Sequence, residues 1–259
     1  MSRSLRFFYF GNQCPHNGYL LARIKTLAWK ESVKLHLHDI SGDEAICSEY
    51  RIFSPQMLVV NDEYRLHGPF TADRVLSLLE YEDTEPVGLP ASQGGEVVRG
   101  ELVPLTPDTA LSTCDTCAGS PDPGLCRGKA EWVHEMMGAS GAPHLGYLHL
   151  VRGRCVGGAE YLPSRLVPYP VPGKEDKDAF ITCAYASDAV RDYRRHPLER
   201  LLEDLTGSGF ESVSVAASTE GVFPNGPSSW FESLGFADEG FLVREEMHDA
   251  EIHLLRKRL

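Results

Sequence analysis

Three observations predict an α/β (α+β) chain built from two units. Short apolar runs with the period of strands alternate with helical stripes along the chain. A Pro/Gly/Ser-rich segment interrupts that pattern between residues 86 and 96. The balance of 42% hydrophobic to 24% charged residues is that of a soluble chain with a sizeable core. A length of 259 residues suits one large or two modest domains. The formal charge of −12 speaks against a general nucleic-acid or anionic-membrane surface. No apolar run approaches the ~20 residues of a membrane span, and Met1 to Arg6 lead directly into Phe7-Phe8-Tyr9-Phe10, too short for a signal-peptide core. The expectation is a cytoplasmic protein acting on a small molecule, with no nucleic-acid or membrane partner. Seven cysteines then read as thiols, metal ligands or redox groups, not as a disulfide framework.

The first unit is expected over residues 1–85. Phe7-Phe8-Tyr9-Phe10 reads as a strand, and Leu20, Leu21, Ile24, Leu27 and Ala28 form a helical stripe. Leu35 and Leu37 alternate with His36 and His38 as in a half-buried strand. Met57 to Val60 and Tyr64 to His67 flank Asn61-Asp62, a hairpin turn, and Val75, Leu76, Leu78 and Leu79 mark a closing helix. Residues 86–96 then form the linker, acidic before them and Pro/Gly/Ser-rich within.

The second unit is expected over residues 97–259. Cys155 to Tyr161 and Phe180 to Ala186 read as strands, and the proline-rich loop between them as an excursion. A basic turn, Arg191 to His196, leads into an amphipathic helix with apolar residues at 198, 201, 202 and 205. Pro197 suits its first position and Gly207 and Gly209 its end. Ser212 to Ala216 is a further strand, and Trp230-Phe231-Glu232-Ser233-Leu234-Gly235-Phe236 closes the pattern.

The order of these elements resembles the core of the GNAT superfamily of acyltransferases, and the Trp230–Phe236 segment is similar to its common Phe-Tyr-Glu-Lys-Leu-Gly-Phe ending. The resemblance implies an acyl group moved from acyl-CoA to an amine. Glu160 would then deprotonate the amine, Cys183 and Tyr185 would border the acyl site, and Ala184, Tyr185 and Ala186 would contact the cofactor. In that family a Gly-rich turn offers backbone N–H groups at a helix N-terminus to the CoA pyrophosphate. No glycine stands at the matching positions, Arg194 to Leu198, and Pro197 removes one donor. Side chains of Arg194, Arg195 and His196 are candidates to replace those amides as phosphate ligands; the alternatives are a solvated helix cap, or a small carboxylate bound at His196-Pro197. Phe231 stands where many members carry a proton-donating tyrosine, so a cysteine or Tyr185 is the substitute.

The first unit resembles a small thioredoxin-like fold. Cys14-Pro15-His16-Asn17 sits where that family has Cys-x-x-Cys, with Asn17 in place of the second cysteine, and Ser54-Pro55 sits where the family has a cis-proline. A helix N-terminus makes Cys14 a candidate nucleophile or soft-metal ligand; the alternative is an inert thiol in a docking module. Cys114, Cys117 and Cys126 form a C-x2-C-x8-C pattern suited to zinc or another soft metal, or to reactive thiols, or to no function at all. A poorly characterised group of GNAT-like proteins is similar here, with a cysteine-rich segment before a Lys-x-x-Trp helix, matched by Lys129-Ala130-Glu131-Trp132. Two alternatives therefore stand beside acyl-CoA transfer. One is a CoA-independent enzyme of GNAT descent that uses its cysteines, with or without metal, on a sulfur-containing small molecule. The other is a metal or redox sensor.

Overall fold

A computed structural model describes residues 3–68, 70–88, 95–113, 123–188 and 190–259, with the side chains of 123–126 outside the description. Its first sheet is assembled from β1 (Ser4–Tyr9), β2 (Lys34–Asp39), β3 (Gln56–Val60) and β4 (Tyr64–His67), in the order β2-β1-β3-β4. β1 runs parallel to β2 and antiparallel to β3. The crossover between the parallel strands is α1 (Pro15–Lys30), which buries Leu20, Ile24, Leu27 and Ala28, the expected stripe. Cys14 is its N-cap residue, held extended, and Pro15 occupies the first turn, where its missing N–H is no loss. The β3–β4 hairpin turns on Asn61 and Asp62, both at positive φ. α3 (Ala72–Leu79) closes the unit, with the Thr71 hydroxyl accepting from the Arg74 N–H at 3.2 Å.

The helix α2 (Glu44–Tyr50) was not anticipated from periodicity, because seven residues are too few for an apolar stripe to declare itself. Its signal is the cap: Asp43 accepts from the Ile46 N–H at 3.0 Å, and Arg51 at φ 51° ends the helix. Ser54–Pro55 is trans; the cis bonds among the described residues are Phe223–Pro224 and Gly226–Pro227.

The second sheet has the order β10-β11-β9-β8-β7-β6-β5. Its members are β5 (Glu101–Pro104), β6 (Gly146–Val151), β7 (Arg154–Pro163), β8 (Asp178–Ala186), β9 (Ser212–Ser218), β10 (Ala237–Glu245) and β11 (Ala250–Arg258). Every pair is antiparallel except β8–β9, which are parallel and matched over only three residues, Asp178–Phe180 against Ser212–Ser214, before they part. α4 (Pro123–Ser140) packs on one face of this sheet. α5 (Arg195–Gly207) packs on the other through Leu198, Leu201 and Leu205, and α6 (Ser228–Glu232) adds Trp230 and Phe231. α5 begins two residues earlier than predicted, so Pro197 is its third residue, not its first. The α/β expectation holds, with both sheets mixed.

One hydrophobic cluster takes side chains from both sheets. Phe8, Phe10, Met57 and Val59 of the first unit meet Trp132, Leu148, Tyr169, Phe180 and Tyr185 of the second. Phe10 stands edge-on to Trp132 at 5.6 Å and to Tyr169 at 6.1 Å, the geometry that aromatic quadrupoles favour. This shared core forms a seam, and the chemistry-bearing side chains gather beside it. No helix among the described residues is long and apolar enough to cross a membrane.

Candidate functional site at the seam

A β-bulge decides which way Cys183 points. In the β7–β8 ladder Glu160 pairs with Cys183 and Tyr161 with Ile181, so Thr182 is the extra residue. Phe180 faces the seam and Ile181 the α5 side. Regular alternation would send Cys183 to the α5 side as well, whereas the bulge resets the phase and turns both Cys183 and Tyr185 to the seam. Opposite Tyr185 lies Gly158, where a methyl group would come within 2.5 Å of the Tyr185 hydroxyl. The glycine is there for clearance.

Glu160 reaches the same face and is only 3% exposed. Its Oε2 accepts from Lys129 Nζ at 2.6 Å, and the same ammonium donates to the Gln13 carbonyl at 2.5 Å and lies 4.6 Å from the centre of the Trp132 ring. Lys129 is wholly buried. Leaving water is a large penalty for such a charge, and a carboxylate, a carbonyl and an aromatic face together offset it. Through Gln13 the ammonium fastens α4 to the turn that carries Cys14.

Cys14 keeps part of its surface open. Burial pushes its thiol up to about 11; the His16 N–H, the Lys129 charge and the Asn17 N–H pull it back, and Glu160 opposes them. Its Sγ lies 3.7 Å from His16 Nδ1, a contact in which the thiol can donate to a neutral imidazole. Burial lowers the His16 pKa and so keeps that ring neutral. Burial also holds the Cys183 thiol well above its ordinary value, with Glu160 and Cys14 adding to the shift. Tyr169 is 2% exposed, its hydroxyl has no hydrogen-bond partner among the described residues, and it feels Cys47, Cys183 and Cys14. The arrangement can shuttle a proton between a thiol and an imidazole and can present a fixed ammonium to developing negative charge.

Of the residues expected from sequence, Cys14, Glu160, Cys183 and Tyr185 are brought to this seam. His16, Lys129 and Tyr169 join them at the seam without a chemical role expected from the sequence. The signal for His16 was its place two residues after Cys14; Lys129 lay within the Lys-x-x-Trp pattern; Tyr169 had none, being in the proline-rich excursion.

The N-terminus of α5 is arranged differently from a vacant anion cradle. Asp192 Oδ1 accepts from the N–H groups of Arg194 and Arg195, both at 3.0 Å, while its Oδ2 accepts from Trp230 Nε1 at 2.6 Å. The Leu198 N–H is bonded to the Arg194 carbonyl, and Pro197 has none. The Arg194 guanidinium is turned inward, 2.6 Å from the Gly226 carbonyl and stacked 4.2 Å above the Trp230 ring. Arg195 pairs with Glu199 at 3.2 Å, and His196 Nδ1 accepts from the Gly100 N–H at 3.4 Å. These two line an open groove of about 670 Å³ with Arg99, Arg200, Lys257 and Arg258.

The gap where β8 and β9 part is spanned by Asn225, which is 2% exposed. Its Oδ1 accepts from the Ala184 N–H at 2.9 Å and its Nδ2 donates to the Ala216 carbonyl at 3.3 Å. Ala186 is held in register with Gly157. The side-chain amide therefore takes the edge groups that the parting strands leave open.

Cys114 and Cys117 lie outside the described residues, as does the side chain of Cys126 on α4. Among the described residues no group of three or more His, Cys, Asp or Glu side chains is placed to hold a metal ion.

No family model matches the chain, and no curated protein matches it. Among solved structures, an N-acetyltransferase from Staphylococcus aureus Mu50 is 12% identical with a TM-score of 0.47, over 62% of this chain and 99% of its own. A ribosomal-protein-alanine N-acetyltransferase from Brucella melitensis is 17% identical with a TM-score of 0.44, over 61% and 99%. An aminoglycoside 6'-N-acetyltransferase complexed with coenzyme A is 13% identical with a TM-score of 0.43, over 61% and 96%.

Proposed function

We propose that this chain is an acyl-group transferase of GNAT descent that works through its own thiol, with Cys14 as the nucleophile, on a small-molecule acceptor. The observation that carries this reading is the convergence of Cys14, His16, Lys129 and Glu160 at the seam. In the first half-reaction His16 takes the proton of Cys14, and the sulfur attacks the acyl carbonyl carbon of an activated donor such as a thioester. The field of the buried Lys129 ammonium, which already lowers the Cys14 pKa, favours the negative charge that develops there. The donor's carbon–sulfur bond breaks, and the departing thiolate leaves with the proton held on His16. In the second half an acceptor amine or thiol gives its proton to His16 and attacks the Cys14 thioester, which frees the enzyme thiol. Glu160 keeps Lys129 charged and in place. The first unit, with strand order β2-β1-β3-β4 and the thiol at the head of α1, fits a thioredoxin-like module joined to a GNAT-like one across residues 86–96.

Two features support a donor held elsewhere than at the family's pyrophosphate turn and parted strands: the N–H groups of Arg194 and Arg195 are taken by Asp192, and the gap between β8 and β9 by Asn225. The basic groove beside Arg195 and His196 favours a second reading. In it, acyl-CoA is gripped by side chains and transfer to an amine is direct, with Glu160 as base.

Intact mass of the full chain after exposure to acetyl-CoA and to a short acetyl thioester separates the two. The expected result is one acetyl group on Cys14 from the short thioester, absent in Cys14→Ser, retained in Cys183→Ser and formed more slowly in His16→Asn. Acetyl-CoA turnover to an amine by Cys14→Ser at the parent rate would overturn the thiol mechanism in favour of direct transfer.

A further inference from the structure

The sheet face opposite the thiols carries a second cavity. It measures about 300 Å³, at the small end for a ligand site, and lies between the C-terminal half of α5, Tyr161 of β7 and the Pro143-His144 segment that precedes β6. Tyr161 lines it, one residue along β7 from Glu160 and therefore on the other face. Tyr161 is 6% exposed, and its hydroxyl has no hydrogen-bond partner among the described residues. Asp204 and Tyr147 lie close enough to add to the effect of burial in raising its pKa. Its ring is buried while its hydroxyl opens into the cavity, so a hydrogen bond is left for whatever occupies that space.

The charge on the wall says which partner. Asp204 accepts from the Tyr147 hydroxyl, from His144 Nε2 at 3.4 Å and from Arg200 Nη2 at 2.8 Å. Arg200 also meets Glu203 at 3.4 Å. Burial lowers the His144 pKa, so that ring is neutral, and two carboxylates stand against one guanidinium. α5 ends here as well, with Gly207 and Ser208 on the rim, so the negative pole of the helix has the same sign as the surplus carboxylate. Leu201, Leu205 and Pro143 supply an apolar surface.

We infer that this cavity binds a small organic ammonium, its charge set between Asp204 and the Tyr161 hydroxyl and its apolar body against Leu201 and Leu205. An anion would meet two carboxylates and a helix C-terminus. A neutral alcohol would satisfy the phenol but leave the surplus charge unmatched.

Calorimetry or NMR titration of the full chain at pH 7 with three isosteric probes tests this: 2-phenylethylamine, 2-phenylethanol and phenylacetate. The amine should bind saturably and at least tenfold more tightly than the other two. Tyr161→Phe should weaken it about threefold or more with an unaltered melting curve, because that hydroxyl bonds nothing in the protein. Asp204→Asn should weaken it tenfold or more; should that variant fail to fold, Tyr161→Phe and the probe series still decide. No saturable amine binding, equal binding of the alcohol or the acid, or an affinity unchanged by Tyr161→Phe would each overturn the assignment.

Discussion

Lys129 is held by three kinds of contact and has no access to water, which makes its contribution conditional on Glu160. Removing either partner strands the other charge in the core. Lys129→Met and Glu160→Gln should each lose about 3–5 kcal/mol in urea unfolding, the usual result for a broken buried pair, while the double variant should lose less than the sum of the two. Strict additivity would mean that the two groups do not act as a unit. The same pair tunes Cys14 from opposite sides, the ammonium lowering its pKa and the carboxylate raising it. A thiol near 11 is protonated at neutral pH, so His16 at 3.7 Å is what makes attack possible without a standing thiolate.

The N-terminus of α5 shows what one capping side chain does to a helix end. Asp192 satisfies two amides and anchors Trp230, so Asp192→Ala should lose about 1–2 kcal/mol of stability. It should also free those N–H groups for an anion, and CoA or sulfate should bind the variant more tightly than the parent in calorimetry. Equal affinity in the two proteins would remove Asp192 as the occupant of that position. The strands β7, β8 and β9 and the helix α5 were legible from apolar spacing and from Gly207 and Gly209, because a helix or strand face must be apolar wherever it is buried. The bulge at Thr182 was not, since it is a property of the ladder with β7 and leaves no mark in β8's own composition. Glu160 and Cys183 are legible as candidates because their strands resemble those bordering an acyl site. Their partner Lys129 lies 31 residues from Glu160 on another element, and only packing brings it there. Asn225 sits in a loop whose Pro-Asn-Gly-Pro run signals a turn but gives no hint of what the amide bridges.

The two sheets are joined away from the thiols by a second buried polar cluster, which sets how the whole chain should respond to acid. The His67 N–H at the end of β4 donates to His248 Nε2 at 3.2 Å, so His248 carries its hydrogen on Nδ1, 3.1 Å from the Val87 carbonyl. Both ring nitrogens are committed in the neutral form, and a proton added at Nε2 would face an N–H group. Arg65 of β4 binds Glu245 of β10 at 3.0 Å, and Phe223 packs edge-on to His67 at 4.8 Å, against Gly68. Burial, with His248 and Arg65 adding, pushes His67 down to about 3, and burial lowers His248 too. The unfolded chain takes up protons at both histidines near pH 6.5, while folded His67 refuses one until about pH 3. Between those values the unfolded state binds more protons, so stability present above pH 6.5 is lost as the pH falls. Glu245 works in the other direction: burial raises its pKa above the ordinary carboxylate range, which favours the folded state in acid. The histidines therefore dominate in the first part of the fall. Urea midpoints should drop steadily from pH 7 to pH 5, and the slope should shrink in His67→Phe/His248→Gln, where the ring contact is kept and an amide can replace both imidazole bonds. Because this cluster and the thiol seam join the same two sheets, alkylation of Cys14 corrected for the pH dependence of its thiolate should speed up over the same interval in the parent and not in the double variant. A slope that survives both substitutions would place the acid sensitivity elsewhere in the molecule.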